Sequence, residues 1–134
     1  MFDAQSPSYR TEPQGLKDQP WFLNTIVRMK AASDIWAPEG LLSTLQAVEA
    51  QMGRLRGEIP GGPRVIDLDL LFFGDLAMHT EYLTLPHPRM LERAFVLVPL
   101  RDIAPNLVFL DGRSIDQVLS GLDYTVDGQN IMQK

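Results

Sequence analysis

An α+β fold, with helices packed on a mostly antiparallel sheet, is what this sequence predicts. Strand-like and helix-like segments alternate irregularly rather than as a regular βαβ series. The strongest helical pattern, Pro38 to about Met52, has strand-like segments on both sides of it. The chain has 134 residues, 45% hydrophobic and 22% charged, which suits one domain with a real core. We read residues 1–134 as that single domain, with flexible ends at 1–8 and 123–134.

Residues 1–20 are polar and hold Pro7, Pro13 and Pro20, so a loose start leads into an ordered loop. Phe22 to Lys30 is rich in β-branched residues and reads as one strand. Pro38 suits the first turn of a helix. Leu41, Leu42, Leu45, Val48 and Met52 then recur at helical spacing until Gly53 stops it. Residues 54–63, with three Gly and two Pro, read as a mobile loop. Arg64 to Phe73 is a strongly apolar strand closed by Gly74-Asp75. Tyr82 to Leu85 is expected as a short edge strand, and His87 stands in a rigid turn between Pro86 and Pro88. Met90 to Leu100 has helical character that Pro99 should break. Leu107 to Leu110 reads as a short strand. Ser114 with Gln117 forms a capping-box signature opening a last helix over 115–121.

Composition excludes several classes. Without cysteine there is no disulfide scaffold, thiol nucleophile or Cys-built metal site. No segment approaches the roughly 18–20 apolar residues of a membrane span, and the first ten residues hold no signal-peptide core. A soluble cytoplasmic protein is expected. A net charge of −5 argues against a nucleic-acid or anionic-membrane binder. Yet between residues 54 and 101 every cation is Arg: Arg54, Arg56, Arg64, Arg89, Arg93 and Arg101. The planar guanidinium is the bidentate binder of phosphate and carboxylate, so a local anion site and solvated surface arginines are both open.

The chemistry concentrates at Ile66-Asp67-Leu68-Asp69. On a strand, residues i and i+2 share a face, which sets Asp67 and Asp69 side by side, about 6–7 Å apart along the backbone. Carboxylates on so apolar a segment need compensation. Exposure, pairing with Arg64, or a hard cation would each supply it, and magnesium favours one or two carboxylates with phosphate oxygens and water. Acids beside several arginines suit phosphoryl transfer, although no Walker loop is present. Asn24 carries a donor and an acceptor suited to an amide-containing heterocycle. Phe22 and Phe95 offer stacking faces, though core packing is the plainer reading. Gln46 and Glu49 are neighbours on one helix face, for which a solvated surface is the plainer reading.

Taken together, Tyr9-Arg10-Thr11, Asp18-Gln19-Pro20 with Phe22-Leu23-Asn24, Gly53-Arg54-Leu55-Arg56, Gly62-Pro63-Arg64-x-Ile66-Asp67-Leu68-Asp69, and Leu85-Pro86-His87-Pro88-Arg89 followed by Glu92-Arg93-Ala94-Phe95-Val96 resemble the 6-hydroxymethyl-7,8-dihydropterin pyrophosphokinase family, from about Tyr9 to Leu110. The resemblance implies a ferredoxin-like two-layer sandwich and transfer of pyrophosphate from ATP to the pterin hydroxymethyl group in folate synthesis. It implies that Asp67 and Asp69 bind two magnesium ions. Gln46, Arg54, Arg56, Arg64, His87 and Arg93 match positions contacting ATP, with Arg54 and Arg64 tied to catalysis. Thr11, Phe22, Asn24 and Phe95 match the pterin pocket, and Glu49 matches a recurrent acidic position. Two features depart from the pattern. Residues 58–62 carry no Trp where the family often has one. The family's first strand, ending in Gly-Ser-Asn-Leu-Gly, and its following helix have no counterpart in MFDAQSPS, so the chain is expected to lack about 25–30 residues. An unpaired sheet edge would then favour self-association. The alternative expectation is a truncated homologue that binds nucleotide or pterin without turnover, or one needing a partner chain.

Overall fold

The computed structural model describes residues 2–13, 18–32, 36–54 and 66–134. The described residues of Met1–Pro13, Pro20–Lys30 and Arg89–Lys134 make one compact unit, and those of Gln14–Gln19 and Ala31–Pro88 a second. The α+β expectation holds: helices accompany sheets whose strand pairs are antiparallel except one.

The first unit is built on a four-stranded sheet. Strand β2 (Tyr9–Thr11) pairs antiparallel with β3 (Phe22–Asn24) and parallel with β8 (Asn130–Gln133), and β8 pairs antiparallel with β7 (Tyr124–Asp127). The C-terminal segment, expected as a flexible end, thus supplies two strands. The alternation of Tyr124, Val126 and the opposed Ile131 provides apolar positions, and Gly128 (φ 60°) makes the turn. A two-residue hairpin loop with positive φ at its first central position suits glycine there. Ile131 is 1% exposed. The N-terminal segment also differs from expectation, since β1 (Phe2–Gln5) pairs with β4 (Val27–Met29) in a separate two-stranded ribbon. The single strand expected over Phe22–Lys30 is therefore two. The chain breaks at Thr25-Ile26, where Ile26 N–H donates to Ser6 Oγ (2.9 Å) and to no strand.

Helix α2 (Ala94–Ile103) packs on β2 and β8, and α3 (Ile115–Ser120) packs on α2. A 3₁₀ turn, Met90–Glu92, precedes α2. Pro99 lies inside α2 rather than ending it. A mid-helix proline costs about 3 kcal/mol. Ala94 and every residue from Val96 to Leu100 are buried, and each large apolar side chain so buried contributes roughly 1.5–3 kcal/mol, which outweighs the lost hydrogen bond. The capping box at α3 is present as the sequence indicated: Gln117 N–H donates to Ser114 Oγ, and Ser114 N–H to Gln117 Oε1. Leu107–Leu110 is no strand. Only a single bridge, Val108 to Ser114, forms around a turn at Gly112.

In the second unit, α1 spans Pro38–Gln51, with Pro38 in its first turn. Leu41, Leu42 and Leu45 are half-buried, while Val48 and Met52 are exposed. Gly53 takes φ 97°. Its N–H donates to the Ala50 carbonyl and the next N–H, of Arg54, to the Glu49 carbonyl. That pair of bonds is the glycine-dependent helix stop that satisfies carbonyls of the last turn. Strands β5 (Met78–His79) and β6 (Thr84–Leu85) form a short hairpin; Tyr82 and Leu83 belong to its loop, where both N–H groups donate to Thr80 Oγ1.

Among the described residues no strand pairs with 66–73, expected to be a strand. The segment's backbone groups go elsewhere. Leu68 N–H donates to a carboxylate of α1, and the Leu71 carbonyl accepts from His87 N–H (2.6 Å). Its alternation survives without a ladder: Ile66, Leu68 and Leu70 are half-buried, Asp67 and Asp69 exposed.

Candidate active site

The aspartate segment is held by one buried carboxylate. Glu49, on the last turn of α1 and 7% exposed, accepts through Oε2 from Leu68 N–H (2.7 Å) and from Arg54 Nη1 (2.5 Å). The same Arg54 nitrogen donates to Asp67 Oδ1 (2.9 Å). The backbone between the two candidate metal ligands is therefore clamped to α1, and Asp67 is clamped to Arg54. Burial alone would lower the Arg54 pKa. The hydrogen bonds and negative charges of Glu49 and Asp67 outweigh it and hold the guanidinium above its ordinary value.

The solvated reading of Gln46 and Glu49 therefore separates. Gln46 is exposed, whereas Glu49 is the buried residue of α1. A sequence signal for Glu49 lies in its place one turn before the Gly53 stop, because the chain reversal returns Arg54 to it.

Asp69 and His87 line one hollow of about 270 Å³ together with Leu42, Thr80 and Tyr82. The hydrogen bond from His87 N–H to the Leu71 carbonyl ties the Pro-His-Pro turn to the aspartate segment. Arg56, Arg64 and the 54–63 loop beyond Arg54 lie outside the described residues.

The remaining candidates belong to the first unit. Tyr9 and Thr11 share a face of β2, as Phe22 and Asn24 share a face of β3, with Tyr9 opposite Asn24 and Thr11 opposite Phe22. Asn24 Nδ2 donates to Thr11 Oγ1 (2.6 Å), which orients the carboxamide across the two strands. Thr11 is buried at 3% exposure, and Phe22 and Asn24 are half-buried. Tyr9, on the same face, donates its hydroxyl proton to Asp102 of α2, so this face looks toward the helix. At the start of α2 the guanidinium of its N-cap residue Arg93 stands over the Phe95 ring, 5.5 Å from its centre, a cation–π distance.

Comparison with known proteins agrees with these motifs. The family model for 7,8-dihydro-6-hydroxymethylpterin-pyrophosphokinase matches residues 1–105. The chain belongs to this family. It is 47% identical over 120 residues to the 2-amino-4-hydroxy-6-hydroxymethyldihydropteridine pyrophosphokinase of Methylorubrum extorquens, covering 90% of this chain and 73% of that protein. The protein of the same name from Pseudomonas aeruginosa is 42% identical over 121 residues, covering 90% and 72%. That from Bacillus subtilis is 46% identical over 102 residues, covering 76% and 59%.

The magnesium expectation fits the donor set of this family member. Asp67 and Asp69 are both exposed on an extended segment, offering the hard oxygen donors that magnesium takes alongside phosphate. Among the described residues no group of three or more His, Cys, Asp or Glu side chains converges. No helix among the described residues is long and apolar enough to cross a membrane.

Proposed function

We propose that this chain transfers pyrophosphate from ATP to 6-hydroxymethyl-7,8-dihydropterin, releasing AMP, in the cytoplasm. The observation that carries the reading is the clamp of Glu49 on Leu68 N–H and Arg54, which fixes Asp67 and an arginine together at one place. Family membership and the names of the relatives favour turnover over a binding-only homologue.

In this reading the pterin hydroxyl oxygen attacks the β-phosphorus of ATP, the bond from that phosphorus to the α-phosphate oxygen breaks, and the hydroxyl proton leaves to solvent. Asp67 and Asp69 would hold two magnesium ions. Bound magnesium neutralises charge on the triphosphate and orients it. Arg54, with Arg56 and Arg64, stabilises charge that spreads over the transferred group, and Arg54 and Arg64 are the arginines we tie to catalysis. Gln46, His87 and Arg93 contact ATP. Thr11 and Asn24 read the pterin edge, and Phe22 and Phe95 stack on its ring. No side chain is assigned as a strong base, because positioning and electrostatics supply most of the rate in such transfers. Self-association, if the chain uses it, would run through β3 or β7, the outer strands of the four-stranded sheet.

The test is AMP release from ATP, magnesium and the hydroxymethyl pterin, in the wild type and in Asp67→Asn and Asp69→Asn. Each variant should lose at least about a hundredfold in turnover and keep its melting temperature. A wild type that binds nucleotide but makes no AMP would sink the catalytic reading. Near-normal turnover in either variant would remove the metal assignment.

A further inference from the structure

Gln133 lies far along the chain from every candidate site residue and beyond the region matched by the family model. It sits on β8, two residues after buried Ile131 and so on the same face of the sheet. Its Oε1 accepts from Ala94 N–H (2.8 Å), and its Nε2 donates to the Glu92 carbonyl (2.6 Å). Glu92 and Ala94 flank Arg93, and Ala94 is followed by Phe95.

The local sequence explains why such a contact is needed. Arg93 stands at the N-cap of α2 in extended conformation, and no side chain of its own turn caps the helix. The first N–H groups of a helix lack intrahelical partners. One carboxamide, delivered from the C-terminal hairpin, satisfies the first of them and also the last carbonyl of the preceding 3₁₀ turn. The chain on both sides of Arg93 is thereby fixed to β8, which pairs with the strand carrying Thr11.

We infer that Gln133 is a positioning residue: by holding residues 92 and 94 it presents Arg93 to nucleotide and Phe95 to pterin. This rests on the proposed roles of Arg93 and Phe95. Gln133→Met keeps the approximate shape and removes both hydrogen bonds. Gln133→Glu keeps the acceptor for Ala94 N–H and loses the donor to Glu92.

The experiment measures binding of a non-hydrolysable ATP analogue by calorimetry, kcat and KM for the pterin, and amide exchange at Ala94. It compares the wild type, both Gln133 variants, Arg93→Ala and the Arg93→Ala/Gln133→Met double variant. Gln133→Met should weaken analogue binding about three- to tenfold, raise the pterin KM, and speed Ala94 exchange. Gln133→Glu should keep Ala94 protected and lose less affinity, so it carries the test if the Met variant does not fold. The double variant should bind the analogue no more weakly than Arg93→Ala alone, because Gln133 acts through Arg93. Wild-type affinity and KM in a folded Gln133→Met, or a fully additive loss in the double variant, overturns the inference. Should Arg93→Ala bind the analogue like the wild type, the assignment of Arg93 falls instead, and Gln133 is then judged on the pterin KM, where an unchanged value overturns it.

Discussion

Asp67 and Arg54 owe their pairing to a third residue, Glu49, whose carboxylate reaches the guanidinium and the Leu68 amide at once. Removing its charge leaves Arg54 with one fewer counter-charge in a partly buried place, and an amide cannot replace that interaction. Glu49→Gln should lower stability by about 1–3 kcal/mol and reduce turnover tenfold or more, because Arg54 and the aspartate segment lose their shared anchor. Thermal melts and steady-state rates check this. A Gln variant that melts and turns over like the wild type would take Glu49 out of the role. The sequence made Asp67 and Asp69 visible because i, i+2 spacing survives whether or not a ladder forms. It named Glu49 as an acidic residue of the helix face but not its burial, since burial of a helical carboxylate depends on groups that arrive from the next segment. Asn24 was legible as a polar residue in a strand and Thr11 only through the family resemblance, but their mutual hydrogen bond follows from a strand register that no local pattern encodes.

The end of α1 shows how an element boundary becomes part of a site. Gly53 has φ 97°, and the reversal it permits sends Arg54 N–H to the Glu49 carbonyl and the Arg54 side chain to the Glu49 carboxylate. A Cβ at Gly53 would meet no atom within 4 Å, so Gly53→Ala isolates the backbone cost of the left-handed conformation, about 1–2 kcal/mol. The variant should melt lower by that amount and should also lose turnover through displacement of Arg54. Unchanged melting with unchanged rates would show that the helix end re-forms without glycine. Both ends of α1 were readable because Pro38 and Gly53 act locally, and the α3 capping box was readable for the same reason. Residues 66–73 were misread as a strand, because apolar alternation reports which face is buried and not whether a neighbouring strand supplies hydrogen bonds. Pro99 was misread as a breaker, because the burial that overrides it comes from tertiary packing.

At the scale of the whole chain, the four-stranded sheet joins segments from opposite ends: β2 near the start lies beside β8 near the finish. Such pairing leaves no trace in local composition, which is why a polar-looking C-terminal segment gave no hint of two strands. The same long-range assembly buries Tyr9 and sets its hydroxyl on Asp102. Burial first, and then the hydrogen bond and negative charge of Asp102, push the Tyr9 pKa up to about 12. In the unfolded chain that proton leaves near pH 10. The folded state therefore holds the proton more tightly, and the resulting stabilisation is fully present below about pH 10 and is lost as pH rises through about 12. Tyr9→Phe lacks both the hydrogen bond and the titration. It should be less stable than the wild type at pH 8, and the gap should close as pH climbs from 10 toward 12. Urea midpoints across that range give the comparison, with lysines and the other tyrosines common to both proteins. Parallel loss of stability in the two would show that Tyr9 keeps its proton no more tightly folded than unfolded, and would break the link between the sheet's long-range pairing and its alkaline limit.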